Sequence, residues 1–413
     1  MGSERMQLRE LADEAQGYLA PLREVRRDIH RRPELGLDLP ETLDRVLASI
    51  EELGLEITRS STISSAVVRI VGDLPGPTVV LRADLDGLAL HEDTGLDFAS
   101  EIPGRMHACG HDLHAAIGVG AIHLLATHKD RLAGEVLFFF QPGEEGDNGA
   151  DRMLDEGALA LASGELVGAY ALHVTTSQPL GAIWTKPGPL MAGSASLNVT
   201  VNGRGGHGSA PQLALDPIQV VAEIITGLQT MITRRFSAFD PVILTACWVR
   251  GGEVGTGNVI PSTASFGATI RTFSDTSLAA IERYSAELVD GIAAAHGLTA
   301  ASTFLSMTAP VINDEHHTDL VERVAVEMFG AERFTLAPTP IGGAEDFAAV
   351  LHAVPGAFIF IGACPPELDP ATAPYNHSNL ALFDDSVLPD AAAYLAALAF
   401  ARLDEIAAAT RSE

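Results

Sequence analysis

The apolar run Val136-Leu137-Phe138-Phe139-Phe140 opens directly onto Gln141-Pro142-Gly143-Glu144-Glu145-Gly146. This join constrains the chain more than any other feature. Two adjacent carboxylates at the mouth of a buried strand repel each other and are costly to desolvate, so something positive has to hold them there. Upstream lies His107-Ala108-Cys109-Gly110-His111-Asp112, and downstream lie His173 and His377, each near the end of a strand-like segment. Thiolate, imidazole and carboxylate are the ligands a divalent transition metal takes. The economical reading has one glutamate on a metal and its neighbour handling a water proton.

The surrounding pattern indicates an α/β fold. Residues 78–82, 135–140, 168–173 and 356–361 are expected strands, and 113–128, 151–161 and 391–401 expected helices. Apolar strands alternating with helices make a sheet covered on both faces. The middle of the chain behaves differently. Ala195, Leu197, Val199 and Val201 alternate with polar residues, as in a half-exposed strand. Asp216-Pro217 then predicts an N-cap and a first helical residue. Ile218, Val221, Ile225, Leu228 and Ile232 should line the buried face of that helix. Strands over 242–249 and 264–272, a helix over 278–295 and a strand over 299–305 follow. The order β-α-β-β-α-β is the ferredoxin-like split unit. The expected organisation is therefore a discontinuous catalytic α/β domain, residues 1–189 and 308–413, with an insert at 190–307.

At 413 residues and 47% apolar content the chain has enough material for a large core. A formal net charge of −28 repels phosphate backbones and anionic membrane surfaces, which argues against nucleic-acid and lipid partners. Cys109, Cys247 and Cys364 are too few and too scattered for a disulfide framework. Met1 to Gln16 is polar and lacks an apolar signal core, and no apolar run spans a bilayer, so a cytoplasmic protein is expected.

Cys109 and His111 are two residues apart, so in an extended segment they point the same way. Taken singly, Cys109 is a small buried hydrophobe and each histidine a hydrogen-bonded core residue. Their joint placement at strand ends beside a double glutamate favours a preformed metal cage. His114, one turn beyond His111, stands within reach of it; His30, His91, His107 and His123 are expected to be structural. Gly203-Arg204-Gly205-Gly206-His207-Gly208 fits G-x-G-x-x-G, but the next helix should start only near Pro217, too late for a dinucleotide site.

Together, several stretches resemble the M20 metallopeptidase family, in its branch of aminoacylases, hippurate hydrolases and indole-acetyl-amino-acid hydrolases. They are 28–36 (Asp28 to Gly36), 82–88, 106–112, 141–146, 205–208, Asn258-Val259-Ile260-Pro261, Arg271-Thr272 and Glu345-Asp346-Phe347. The resemblance implies a zinc-peptidase-like catalytic domain holding two divalent ions, zinc or manganese first, with cobalt or nickel as alternatives. Cys109 would bridge them, His111 and His173 completing one and Glu145 and His377 the other. Glu144 would be the general base and Asp86 a carboxylate orienting the site from behind. The insert would be a lid and dimerisation module, giving a homodimer or a dimer-based tetramer. Its His207 would serve the partner subunit's site as an oxyanion donor, and Asn258 and Arg271 would hold the substrate's carboxylate.

The implied activity is metal-dependent hydrolysis of the amide of a small N-acyl amino acid. A dipeptidase or carboxypeptidase on the same site, or a non-catalytic metal-bound dimer, are the competing readings. Val174-Thr175-Thr176-Ser177-Gln178-Pro179 has one proline where the branch is proline-rich, and Ala344 stands where serine is common. Both departures bear on substrate choice.

Overall fold

The computed structural model describes residues 6–412. Residues 1–5 of the polar N-terminal stretch, and Glu413, lie outside the described residues. The described chain divides into two compact units, one of 6–188, 312–339 and 349–412, the other of 189–311 and 340–348.

In chain order the first unit contributes β1 (Glu56–Arg59), β2 (Ala66–Val71), β3 (Leu74–Asp84), β4 (Ala133–Gln141), β5 (Leu166–Pro179) and β6 (Ile183–Thr185). The second contributes β7 (Gly193–Asn202), β8 (Ile243–Gly251), β9 (Thr263–Thr272) and β10 (Thr299–Thr308), and the first resumes with β11 (Phe334–Leu336) and β12 (Gly356–Cys364). Six helices matter here: α1 (Leu19–Arg31), α2 (His111–Thr127), α3 (Pro217–Arg235), α4 (Asp275–Ala295), α5 (Glu315–Phe329) and α6 (Val387–Ser412).

Among the described residues, the first unit's mixed sheet runs β1-β2-β4-β3-β5-β12-β6-β11. Its centre, β4-β3-β5-β12, is parallel. Every residue of β4 and β12 is buried, which is why both read as unbroken apolar runs. The one acid inside β4, Glu135, is held by Arg69, Thr78 and Ser163. α2 is apolar nearly all round and is accordingly sunk in the core with α6. Gly118 lets it approach the sheet: a Cβ there would meet the Phe138 ring at 2.8 Å. Among the described residues, no helix is long and apolar enough to cross a membrane. All three cysteines are unpaired.

In the second unit, β8-β9-β7-β10 form an antiparallel sheet. Alternation along β7 is as expected: Ala195, Leu197, Val199 and Val201 are buried with α3 and α4 against them. Asp216 caps α3 by accepting from the Ile218 N–H at 2.9 Å. The buried face of α3 departs from expectation. It consists of Val220, Val221, Ile224, Leu228 and Met231, with Ile218 40% exposed and Ile225 and Ile232 at the margin. Only Val221 and Leu228 are common to both faces; Met231 supplies apolar area that an isoleucine was expected to give.

Two further expectations are corrected. The helix expected over 151–161 breaks into Gly149–Asp155 and a short 3₁₀ turn, Ala158–Leu161, because Gly157 adopts a left-handed φ of 86°. Residues 340–348, expected in the catalytic domain, lie with the second unit. The Ala192 N–H donates to the Gly343 carbonyl at 2.9 Å, the Ile341 N–H donates to the Leu190 carbonyl at 2.9 Å, and Arg271 donates to the Gly342 carbonyl.

In the first unit, Tyr170 on β5 and His317 on α5 hydrogen-bond in the core, the Tyr170 oxygen 2.7 Å from Nδ1. Burial, with Arg402 nearby, lowers the His317 pKa from 6.5 to about 4. The unfolded chain therefore takes up a proton below pH 6.5 that the folded chain refuses. Stability from this site is fully present above pH 6.5 and declines as pH falls towards 4, by up to roughly 3 kcal/mol. His317→Gln should flatten that part of the denaturation midpoint's pH profile. An unchanged slope between pH 6.5 and 4 would refute the assignment.

Candidate metal centre

The site lies beyond the carboxyl ends of β3 and β4, where parallel sheets bind their ligands. Each element brings its side chains there for a local reason. β4 ends at Gln141, and Pro142-Gly143 turns the chain so that the Glu144 and Glu145 N–H groups both donate to Asp86, at 3.1 and 3.0 Å. One buried carboxylate thus fixes the backbone of the acidic pair. The expected extended segment across Cys109–His111 is instead a tight turn. Gly110, at φ 90°, is the N-cap of α2, and His111 is its first residue. A Cβ on Gly110 would strike Val174 Cγ2 at 2.4 Å, so only glycine makes this turn.

The side chains meet closely. Cys109 Sγ lies 3.3 Å from His173 Nε2 and 3.1 Å from His377 Nε2, and His377 Nε2 lies 3.1 Å from Glu145 Oε1. His111 Nδ1 is 3.4 Å from Asp86, and its Nε2 is 3.9 Å from Glu145. Among the described residues of the first unit, four groups have their ligand atoms within 4.8 Å of one another: Cys109, His111 and His173; Cys109, Glu145 and His377; His111, Glu144 and Glu145; and Asp84, His111 and His114. Cys109 is common to the first two. His173 presents Nε2 because Nδ1 donates to its neighbour's carbonyl, Val174 O, at 2.7 Å.

The electrostatics fit a cation. Both His111 ring nitrogens and Glu145 Oε1 are buried without a hydrogen-bond partner. Burial opposes charge on His111, yet Asp84, Asp86 and Glu145 outweigh it and push its pKa up to about 10. Burial, then Glu145 and Glu144, hold the Cys109 thiol well above its usual range. Burial and His114 keep His173 neutral, as a ligating imidazole must be. A pocket that forces a proton onto an imidazole and denies a thiolate lacks positive charge, and dications bound by these residues would supply it.

The remaining candidates belong to the second unit. His207 pairs with Val259 across a two-residue bridge, and Asn258 O accepts from the Gly208 N–H at 2.7 Å. The Ser209 N–H donates to His207 Nδ1 at 3.1 Å, so a neutral His207 carries its hydrogen on Nε2, ready to donate. Arg271 sits on the polar face of β9 and donates to Ser194 at 2.8 Å and Thr269 at 3.0 Å. The glycine-rich run ends in this bridge, and α3 starts only at Pro217.

Sequence reasoning assigned no role to Asp84, Asn376 or Arg26. Asp84 accepts from Arg82 and His114, and the His114 Nε2 accepts from the Val174 N–H at 2.9 Å. Arg26, from α1, pairs with Asp112 beside His111. The spacing Asp84-x-Asp86 at a strand end was the available signal for the first; nothing local marks the others.

A thiol, imidazoles and carboxylates converging at the end of a mixed α/β sheet define a metallohydrolase centre. Residues 80–401 match the family described as Peptidase family M20/M25/M40. The chain is 34% identical to the IAA-amino acid hydrolase ILR1-like 4 of Arabidopsis thaliana over 94% of its own length and 86% of that protein's. It is 33% identical to the N-acetylcysteine deacetylase of Bacillus subtilis (strain 168), over 96% and 100%. A solved structure, the Bacillus subtilis YXEP protein, described as a dinuclear metal binding peptidase from the M20 family, superposes with a TM-score of 0.80 at 30% identity, covering 94% of this chain and 99% of that one. The chain belongs to peptidase family M20/M25/M40.

Proposed function

We propose that this metal-dependent amidohydrolase cleaves small N-acyl amino acids to a carboxylic acid and a free amino acid, with Glu144 as general base. The observation that carries the reading is the partition of ligand atoms around Cys109: His111 and His173 on one side, Glu145 and His377 on the other, with Glu144 grouped beside His111 and Glu145. Two dications held there, zinc or manganese, would lower a water's pKa towards roughly 7 and polarise the amide carbonyl. Glu144 takes the proton from the attacking water and delivers it to the leaving amine. Asp86 keeps the Glu144 and Glu145 backbone in place through its two accepted hydrogen bonds. The relatives' names, IAA-amino acid hydrolase and N-acetylcysteine deacetylase, support the substrate class.

We assign the region 190–307, joined by 340–348, as a ferredoxin-like lid and dimerisation module, and 1–189, 308–339 and 349–413 as the catalytic domain, in a cytoplasmic homodimer or dimer-based tetramer. The β8-β9-β7-β10 order supports the ferredoxin-like part of that assignment. His207 donates to the oxyanion from Nε2, and Asn258 and Arg271 take the substrate carboxylate.

N-acetyl and N-benzoyl amino acids, their methyl esters and free dipeptides, assayed before and after chelation and with added zinc or manganese, test the proposal. The free acids are expected to turn over fastest, to stop with chelator and to recover with metal. Equal rates on the methyl esters would exclude carboxylate anchoring. Turnover confined to dipeptides would replace the substrate class.

A further inference from the structure

We infer that Asn376 is the positioning residue that holds the ligand-bearing loops in register, an inference that rests on the metal-centre reading above. Its side-chain amide reaches two segments far from it and from each other in sequence, one at Cys109 and one at Val174–Thr176. Nδ2 donates to the Cys109 carbonyl at 3.1 Å and to the Val174 carbonyl at 3.0 Å. Oδ1 accepts from the Thr176 N–H at 3.2 Å. Val174 O is the same carbonyl that receives the His173 Nδ1 hydrogen. One amide therefore grips the backbone of the thiol ligand and the acceptor that aims the His173 ring.

The next residue is His377, itself a ligand candidate. It lies outside regular secondary structure with φ 71°, in the left-handed region that a non-glycine residue seldom takes. The Ser378 N–H closes its turn onto Tyr375 O at 2.9 Å, and the His377 N–H donates to Ala108 O at 2.9 Å. Beyond these backbone bonds, Asn376 ties the turn to the Cys109 and His173 loops. The fit is specific to asparagine: aspartate lacks both donors, leucine lacks every polar atom, and glutamine is a methylene too long. Residues that hold ligands from behind in this way typically account for about 10–100-fold in metal affinity.

The test compares the wild-type protein with Asn376→Ala, Asn376→Leu and Thr176→Val. The last removes only the hydroxyl bond from Thr176 to Pro374 O, 2.9 Å long, in the same loop cluster. Each metal-free protein is titrated with cobalt(II) against a chromophoric chelator. The thiolate-to-cobalt absorption band and the metal-free melting temperature are recorded alongside. Both Asn376 variants are expected to bind cobalt about 10–100-fold more weakly and to shift or lose the thiolate band, while Thr176→Val keeps both. Asn376 variants within about threefold of wild type, with an unchanged band, overturn the inference whatever happens to their melting temperatures. An equal loss in Thr176→Val also overturns it, since loop loosening would then be the cause. If either Asn376 variant fails to fold, the other decides. Absence of a thiolate band in the wild type would instead bring down the metal-centre reading.

Discussion

Glu144→Gln is expected to keep its full metal content and to lose turnover by about 10²–10⁴, equivalent to roughly 3–5 kcal/mol of transition-state stabilisation. The amide is nearly isosteric with the acid and accepts no proton. The backbone holding it is unaffected, because the Glu144 and Glu145 N–H groups donate to Asp86 irrespective of the side chain at 144. Glu145→Ala should behave in the opposite way. Glu145 Oε1 sits 3.1 Å from His377 Nε2 and shares a ligand group with Cys109, so its removal should lower metal content first and activity as a consequence. Elemental analysis beside kcat separates the two effects. Near-full turnover in Glu144→Gln would remove that residue from the proton path, and undiminished metal in Glu145→Ala would remove its neighbour from the ligand set.

The second large effect concerns folding. Arg26 is 1% exposed and pairs with Asp112 at 2.8 Å and with Asp385. Asp112 also binds His30 Nδ1 at 2.8 Å, and its carboxyl is held far below the ordinary range, against burial, by Arg26 and His30. Arg26→Met keeps most of the stem's packing and removes the charge. The fully buried Asp112 is then left with His30 as its counter-charge, while Asp385 keeps Arg23 and Arg27. Losing the Arg26–Asp112 pair is expected to cost about 3–5 kcal/mol in chemical denaturation. A loss below about 1 kcal/mol would mean that water or His30 replaces the guanidinium. Since Asp112 follows His111 in the first turn of α2, the same substitution should also weaken metal binding.

Much of this was legible because strands buried on both faces leave long apolar runs. β4 and β12 are visible in Val136 to Phe140 and in 356–361, and β7 in the alternation of Ala195 to Asn202. Asp216-Pro217 marked the start of α3 through capping chemistry that acts over three residues. The ligand types were legible for a similar reason: cysteine, histidine and paired glutamates at strand ends are unusual and chemically specific. Non-local pairing was not legible. The grip of Asn376 on Cys109 and Val174, or of Arg26 on Asp112 and Asp385, depends on residues dozens to hundreds of positions apart. Periodicity carries no information at that range. The face of α3 was misread for a subtler reason. Isoleucines at helical spacing marked an apolar stripe, but the packed stripe is set by Val220, Ile224 and Met231 meeting the sheet.

Within residues 340–348, Ile341, Gly342 and Gly343 hydrogen-bond with Leu190, Ala192 and Arg271. A gene dissected at the seemingly natural joints, 189 and 308, would therefore yield a fragment whose early strands lack a companion that arrives from much later in translation. Ribosome-bound intermediates ending near residue 311 should remain protease-sensitive around Ala192 until that late segment emerges.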